Sequence, residues 1–189
     1  MQHMPSGADI RGDSRVVVIS GPPGSGKSTY AKRLAEDLGL SYYSTGTIFR
    51  SLARERGLSL AEMSRLAEED PRIDLEIDRR TLGVASRGGV VIDSHLAAWL
   101  LKDTAHYLVL VKAPMWVRVR RIARRDGVTL RRALVETLER EWSQRMRFKR
   151  YYGIDVTDTT IFHLIVDTSR YGVEDTYRLV LEGARRRGL

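Results

Sequence analysis

A phosphate-binding loop pattern near the N-terminus constrains the fold of this 189-residue chain more than any other feature. The segment fits G-x-x-x-x-G-K-[ST] without a mismatch and consists of Gly21, Pro22, Pro23, Gly24, Ser25, Gly26, Lys27, Ser28 and Thr29. The β-branched run at 15–20 predicts a buried strand, and 29–38 predicts a helix. Such a strand holds the loop rigidly, and the helix directs free backbone N–H groups at an anion. The segment therefore predicts an α/β domain that binds a nucleoside triphosphate.

Two side chains of the loop and one beyond it have the chemistry of a phosphate and magnesium site. Lys27 is expected to reach the outer phosphates, and the Ser28 hydroxyl is expected to hold Mg²⁺. Asp93 ends the apolar run that begins at Val90, at the edge where open α/β sheets bind ligands. A carboxylate there orients magnesium directly or through water, although a strand-ending aspartate is also an ordinary cap. We expect Ser28 and Asp93 to hold the ion.

Turn signals and hydrophobic periodicity alternate along the whole chain. Strands are predicted at 15–20, 42–44, 90–93, 106–111 and 161–167, and helices at 29–38, 48–56, 60–68, 71–86, 116–125, 130–151 and 173–186. This order indicates a five-stranded parallel sheet covered by helices on both faces. Residues 1–14 are short, polar and aperiodic, which predicts a loose N-terminal tail before a single domain at 15–189.

The amino-acid composition indicates where the protein acts and what kind of ligand it binds. The chain lacks cysteine, a signal-peptide pattern and any run long enough for a membrane span, so we expect a cytoplasmic protein without disulfides. Asparagine is absent and most of the 32 basic residues are arginines, a composition that suits heat adaptation. Arginines concentrate between residues 118 and 150 and account for the net charge of +8. Such a concentration indicates recognition of phosphate groups or another polyanion.

The long helix predicted at 130–151 has two different faces. Leu134, Leu138, Trp142 and Met146 recur at i, i+4 and predict an apolar stripe that packs. Arg140, Gln144 and Arg147 cluster on the opposite side, where two guanidinium groups can hold a phosphate and an amide can read a base. Arg121 and Arg125 repeat the i, i+4 spacing on the preceding helix.

No residue of the predicted site stands out as a general base. Of the four histidines, only His95 is expected to lie near the site. A hydroxyl acceptor usually requires a base, whereas a phosphate monoester with a second pKa of about 6 is already an anionic nucleophile at neutral pH. The residues therefore favour a phosphate group as the acceptor of phosphoryl transfer.

Several motifs in order resemble archaeal-type cytidylate kinases, nucleoside monophosphate kinases of the P-loop NTPase superfamily. Ser44-Thr-Gly-Thr-Ile-Phe-Arg50 resembles the start of their acceptor lobe. Further matching segments are 55–60, 67–71, 73–79, 96–99, 121–125, 152–155 and 167–169, so the resemblance covers roughly residues 16–175. It implies a P-loop kinase fold with a mobile acceptor lobe near 45–87 and an arginine-rich mobile lid near 120–152.

The resemblance also implies an activity: transfer of the ATP γ-phosphate to CMP or dCMP with Mg²⁺. The loop at 21–29 would hold ATP, and the catalytic side chains would be Lys27, Arg121 and Arg125. The acceptor would be bound by Ser44, Arg50, Asp93, Arg140, Gln144 and Arg147. His95 departs from the pattern, because family members commonly carry arginine there, and a neutral imidazole offers one donor instead of a fork.

Two other functions fit the same residues. One is a kinase for another monophosphate, UMP or AMP, because no residue placed from sequence reads cytosine. The other is a nucleotide-switched RNA-binding protein that uses the arginine-rich segment, for which binding should weaken steeply with salt. We expect small nucleotides as the binding partners and no association with a membrane. We also expect the protein to be a monomer.

Overall fold

A five-stranded, all-parallel sheet forms the centre of the protein. The computed structural model describes residues 13–189, so most of the tail predicted at 1–14 lies outside the described residues. The strands are β1 Val16–Ser20, β2 Ser41–Ser44, β3 Val90–Asp93, β4 Tyr107–Lys112 and β5 Leu164–Asp167. Their order is β2-β3-β1-β4-β5. The first strand lies where the chain switches from one side of the sheet to the other, the position at which open α/β sheets bind ligands.

Alternating side chains of β1 fill two separate cores, one on each face of the sheet. Val17 and Ile19 pack on one face with helices α1 Lys27–Leu38 and α8 Val173–Arg185. Val16 and Val18 pack on the other face, with Trp99 of the short helix α5 Ala97–Leu100. A strand buried on both faces reads as a continuous apolar run, and every residue of β1 is buried. The predicted parallel sheet covered on both faces is thereby confirmed.

Three helices between β2 and β3 enclose a small core of their own. They are α2 Thr45–Glu55, α3 Leu60–Glu69 and α4 Arg72–Ala85, and they bury Ala53, Met63, Ala67, Ile73 and Ile77. Ser59 caps α3 with a full capping box to Glu62, directly before the helix predicted at 60–68. This separate core lies within the segment predicted as the acceptor lobe.

The segment predicted as the lid is a pair of packed helices, α6 Met115–Asp126 and α7 Leu130–Tyr152. Gly127 ends α6 in the left-handed conformation, with φ 66°, and Thr129 caps α7. Val119, Ile122 and Ala133 form a small apolar cluster between the two helices. Among residues 13–189, no helix is long and apolar enough to cross a bilayer.

Helix α7 presents the reverse of the face that its sequence predicted. The stripe that was expected to pack is exposed, with Leu138 at 49% and Trp142 at 66% of their full accessible surface. The buried residues are Ala133, Thr137, Ser143, Arg147 and Phe148. The prediction of a packed stripe was wrong because α7 lies against α3 and α6 and closes over a polar cleft. Its inward face must therefore supply polar groups, and amphipathicity alone does not show which face is inward.

Other differences from the predicted elements are small. Helix α2 begins three residues earlier than expected, directly at the N-cap Ser44, whose hydroxyl accepts from the backbone N–H of Thr47 at 3.3 Å. The fifth strand begins at Leu164 instead of 161, because the residues before it form turns in which Phe162 packs on Trp99. The four-residue helix α5 is too short to produce a periodic signal.

Candidate active site

The phosphate-binding loop lies between β1 and α1 with a backbone that only glycine can adopt. Gly24 has φ +77°, and a Cβ there would lie 2.8 Å from the backbone oxygen of Arg118. Gly26 precedes α1 in the left-handed conformation, and no side chain caps the helix. The backbone N–H groups of Lys27 and Ser28 therefore remain available to an anion, whereas that of Thr29 donates to Gly26 at 3.0 Å. Tight curvature and an uncapped helix start are the features that a phosphate cradle requires.

A single cleft in front of this loop collects most of the residues predicted for the site. The cavity has a volume of about 980 Å³, which is large for a small-molecule site. Its lining includes the predicted residues Pro23, Gly24, Gly26, Lys27, Ser28, Thr29, Ser44, Arg50, Asp93, Arg121, Arg125, Arg140, Gln144 and Arg147. The loop residues Gly21, Pro22 and Ser25 stand behind the cleft surface, where Gly21 leaves no room for a Cβ beside Val111.

Lys27 is half-buried at the start of α1, and its ammonium group turns back onto the loop. Its Nζ donates to the backbone oxygen of Pro22 at 3.1 Å. Burial lowers the pKa of Lys27 to about 8, and the nearby carboxylate of Asp93 opposes this effect. A desolvated cation with one neutral partner gains a stronger interaction when phosphate oxygens arrive. The position of Lys27 thus fits its expected role at the outer phosphates.

Asp93 lies at the carboxyl end of β3 and accepts hydrogen bonds from three hydroxyl groups, one on α1 and two on β2. Its Oδ2 accepts from Ser28 Oγ at 2.5 Å, Tyr42 Oη at 2.8 Å and Ser44 Oγ at 3.3 Å. Carboxylate and hydroxyl oxygens are the hard ligands that Mg²⁺ prefers, and this ion usually binds through one or two carboxylates together with substrate phosphates. The donor set at Ser28 and Asp93 therefore fits magnesium. The contact of Tyr42 with Asp93 was not foreseen from sequence.

Arg140 is the least compensated charge in the cleft. Its side chain is half-buried, and no hydrogen bond or ion pair to it is found within residues 13–189. Burial first, and then the positive charges of Arg50, Arg125 and Arg147, together lower its pKa to about 10. Such an arrangement is unfavourable for the protein alone and favourable once an anion binds, as is typical of functional sites.

The other predicted arginines of this region have partners. Arg50 is exposed and donates to Thr47 Oγ1 at 2.9 Å. Arg121 donates to the hydroxyl and backbone oxygen of Thr168, at 2.8 Å and 2.9 Å, and Arg125 pairs with Asp126 at 2.7 Å. These exposed contacts are weak compared with a charge-assisted bond to phosphate, so they do not prevent Arg50 or Arg125 from turning to a ligand.

Arg118 connects the loop to helix α7, a role that the sequence did not indicate. The guanidinium group is buried and donates to the backbone oxygen of Pro23 at 3.1 Å and to Glu141 of α7. Because one side chain bonds both segments, the position of the loop depends on the position of α7. The sequence does not distinguish the buried Arg118 from the many exposed arginines near it.

His95 lines the cleft, and its surroundings keep it neutral. Burial lowers its pKa to about 3, and the charge of Lys27 contributes. Ring nitrogen Nδ1 lies 3.0 Å from Oε1 of Gln144, so the proton on Nδ1 donates to the amide oxygen. Gln144 is thereby held at the cleft with its amide NH₂ group available to a ligand.

Two buried carboxylates in the cleft were also missed as site residues. Asp74 and Asp78 lie one turn apart on α4 and line the same cavity. Arg147 of α7 donates to Asp74 and to Ser143 Oγ, and the hydroxyl of Tyr152 donates to Asp78. The i, i+4 spacing of the two acids beside the apolar residues Ile73 and Ile77 could have indicated an inward-facing pair.

Comparison with known proteins shows the family of this chain. A family model described as the cytidylate kinase-like family matches residues 16–170. The chain belongs to the cytidylate kinase-like family. Among relatives, a cytidylate kinase from Aeropyrum pernix is 91% identical over 172 residues, which are 91% of this chain and all of that protein. A cytidylate kinase from Staphylothermus marinus is 50% identical over 88% of this chain and 94% of its own length. The family indicated by the sequence motifs is confirmed.

Solved structures similar to this member of the cytidylate kinase-like family support the fold alone. A shikimate kinase from Acinetobacter baumannii aligns with a TM-score of 0.60 at 20% identity, over 93% of this chain and 95% of that chain. A gluconokinase from Sinorhizobium meliloti aligns with a TM-score of 0.54 at 19% identity, over 93% and 94%. The predicted P-loop kinase fold is confirmed by this agreement.

Proposed function

We propose that this protein transfers the γ-phosphate of ATP to CMP or dCMP and releases ADP with CDP or dCDP. Family membership and two highly similar relatives named cytidylate kinase support the reaction. The strongest support within the molecule is Arg140. It is a half-buried cation without an ion pair or hydrogen bond among residues 13–189, and it lines the same cleft as the phosphate-binding loop. A protein that only hydrolysed a nucleotide would not require a second phosphate site across from the loop.

On the donor side, the loop at 21–29 holds the ATP phosphates through backbone N–H groups. Lys27 exchanges its contact with Pro22 for the outer phosphate oxygens. Ser28 and Asp93 hold Mg²⁺, which when bound neutralises charge on the phosphates and orients them. Arg121 and Arg125 line the same cleft and stabilise the moving phosphoryl group, whose charge is spread over three oxygens.

On the acceptor side, positive charge fixes the monophosphate. Arg50 of α2 and Arg140 of α7 line the cleft from two different segments, so an acceptor phosphate between them draws these segments together. Arg147, which is paired with Asp74, contacts the acceptor away from its phosphate. The remaining contacts to the acceptor come from Ser44, Gln144 and Asp93. Holding both reactants in line is the main contribution that a phosphoryl-transfer enzyme makes.

The reaction requires no general base from the protein. The acceptor phosphate carries an ionised oxygen at neutral pH, because its second pKa is about 6. His95 lines the cleft, but its lowered pKa and its contact to Gln144 suit it to hold an amide rather than to accept a proton. The attacking oxygen is therefore supplied already deprotonated.

The proposal also covers the location, the oligomeric state and the closure of the enzyme. We place the enzyme in the cytoplasm as a monomer, with the helices at 45–87 and at 120–152 closing over the two nucleotides. Closure excludes water, which limits loss of the phosphoryl group to hydrolysis.

The test is a coupled assay that offers ATP with CMP, dCMP, UMP, AMP and GMP separately. CMP or dCMP should give the highest kcat/KM. A clear preference for AMP or GMP would contradict cytidine specificity and leave a kinase for another monophosphate.

A further inference from the structure

Helix α4 brings two carboxylates into the cleft at a place the phosphoryl-transfer chemistry does not use. Asp74 and Asp78 are 7% and 9% exposed, although aspartate is almost never this buried unless it is paired. Burial raises the pKa of both, that of Asp78 to about 6. Keeping acceptors in so unfavourable an environment is typical of a binding function.

Each carboxylate has one oxygen fixed by helix α7 and one left over. Arg147 donates to Oδ2 of Asp74, and Tyr152 donates to Oδ2 of Asp78. Among the hydrogen bonds of residues 13–189, none reaches Oδ1 of either residue. Neither oxygen is among the fully buried side-chain atoms that lack a partner, and both residues line the cavity. The remaining lone pairs are therefore available to a donor that enters the cleft.

The surroundings of this pair suit a flat, uncharged ring. Phe49, Leu60 and Ile77 line the same cavity and offer apolar surface to an aromatic ligand. An acceptor phosphate is attracted to the arginines and repelled by Asp74 and Asp78. An acceptor nucleotide thus binds with its phosphate at Arg50 and Arg140 and its base toward the carboxylates.

We propose that Asp74 and Asp78 bind the exocyclic amino group of the acceptor base and thereby exclude uracil. This inference rests on the proposed monophosphate kinase function. An amino group on cytosine supplies two protons, and an ionised carboxylate only accepts. Uracil presents a carbonyl oxygen at that position, so two acceptors would face a third, and an unpaired buried acceptor costs roughly 1–3 kcal/mol.

The guanidinium of Arg147, bonded to Asp74, complements this arrangement. Its further N–H groups can donate to the ring nitrogen or carbonyl oxygen beside the amino group of cytosine. Adenine also has an amino group, so the carboxylate pair by itself separates amino bases from oxo bases and not cytosine from adenine.

The test compares CMP and UMP as acceptors in Asp78→Asn. Asparagine has the same size and can still accept from Tyr152, and its NH₂ can donate to the uracil carbonyl. The ratio of kcat/KM for CMP to that for UMP should fall at least about thirtyfold, while the KM for ATP changes less than about twofold. Glu76→Gln is the matched control, since it removes one negative charge from the exposed side of the same helix, where Glu76 pairs with Arg79 and Arg80.

Calorimetric titration with CMP and UMP in the absence of ATP gives a second readout. The wild type should bind CMP at least about tenfold more tightly than UMP, and Asp78→Asn should lose this difference. If Asp78→Asn does not fold, Asp74→Asn must show the same change of ratio. A folded variant that keeps the wild-type ratio overturns the inference, and a wild type that phosphorylates no monophosphate overturns the proposed function together with it.

Discussion

Replacing Arg140 by methionine should make the protein more stable and a poorer enzyme. Burial and three neighbouring arginines lower the pKa of Arg140 to about 10, against an ordinary value of at least about 12.5. At neutral pH the side chain is charged in both folded and unfolded states, so the lowered pKa measures how strongly folding disfavours that charge. At about 1.36 kcal/mol per pKa unit, the upper limit is about 3 kcal/mol. Solvent relaxation and lost packing reduce this, so we expect a gain of about 1–2 kcal/mol.

Calorimetry and steady-state kinetics measure the two effects in the same variant. The unfolding midpoint of Arg140→Met should rise by about 3–6 °C, and kcat/KM for CMP should fall about ten- to a hundredfold through loss of a charge-assisted bond. Arg132→Met is the control, because Arg132 is exposed and pairs with Glu136 one turn away at 2.7 Å. Its midpoint and activity should stay close to wild type. A lower midpoint together with lower activity in Arg140→Met would refute the reasoning and make Arg140 a structural residue.

Three further predictions concern the loop, the core and heat stability. Lys27→Ala should raise the barrier to phosphoryl transfer by about 3 kcal/mol or more with an unchanged circular dichroism spectrum, and transfer within tenfold of wild type would count against the role of Lys27. Gly183→Ala should cost about 1–3 kcal/mol of stability, because its Cβ would lie 2.0 Å from the buried hydroxyl of Tyr107. Gly83→Ala, with no atom within 4 Å of its Cβ, should instead gain up to about 1 kcal/mol from helix propensity, and calorimetry distinguishes the two signs. The wild type should unfold above the usual mesophile range of about 45–65 °C, since it lacks asparagine and cysteine, and a midpoint within that range would contradict the heat adaptation.

Features that depend on local pattern could be read from the sequence. The phosphate loop fits its pattern without a mismatch. The apolar run before it was predicted as a buried strand, and β1 is buried throughout. The helices predicted at 60–68 and 116–125 begin after Ser59 and end before Gly127, each within one residue of its predicted bound. Capping is decided by a few neighbouring residues and is therefore visible in sequence. The parallel order of the sheet follows from the alternation of strands and helices.

Features that depend on what a helix faces could not be read from the sequence. The inward face of α7 carries Arg147 and the outward face carries Trp142, since the cavity beneath the helix is a binding cleft and not an apolar core. Hydrophobic periodicity assumes an apolar interior, and this assumption fails above a polar site. The same limit hid Asp74 and Asp78, whose partners are more than 70 residues away in the chain.

The most direct test of the proposed reaction follows the labelled γ-phosphate itself. With [γ-³²P]ATP, Mg²⁺ and CMP, chromatographic separation should place the label in CDP, and omission of CMP should leave nearly all of it in ATP. Label that appears only as inorganic phosphate, at a rate that CMP does not change, would contradict phosphoryl transfer and favour a nucleotide-switched binding protein.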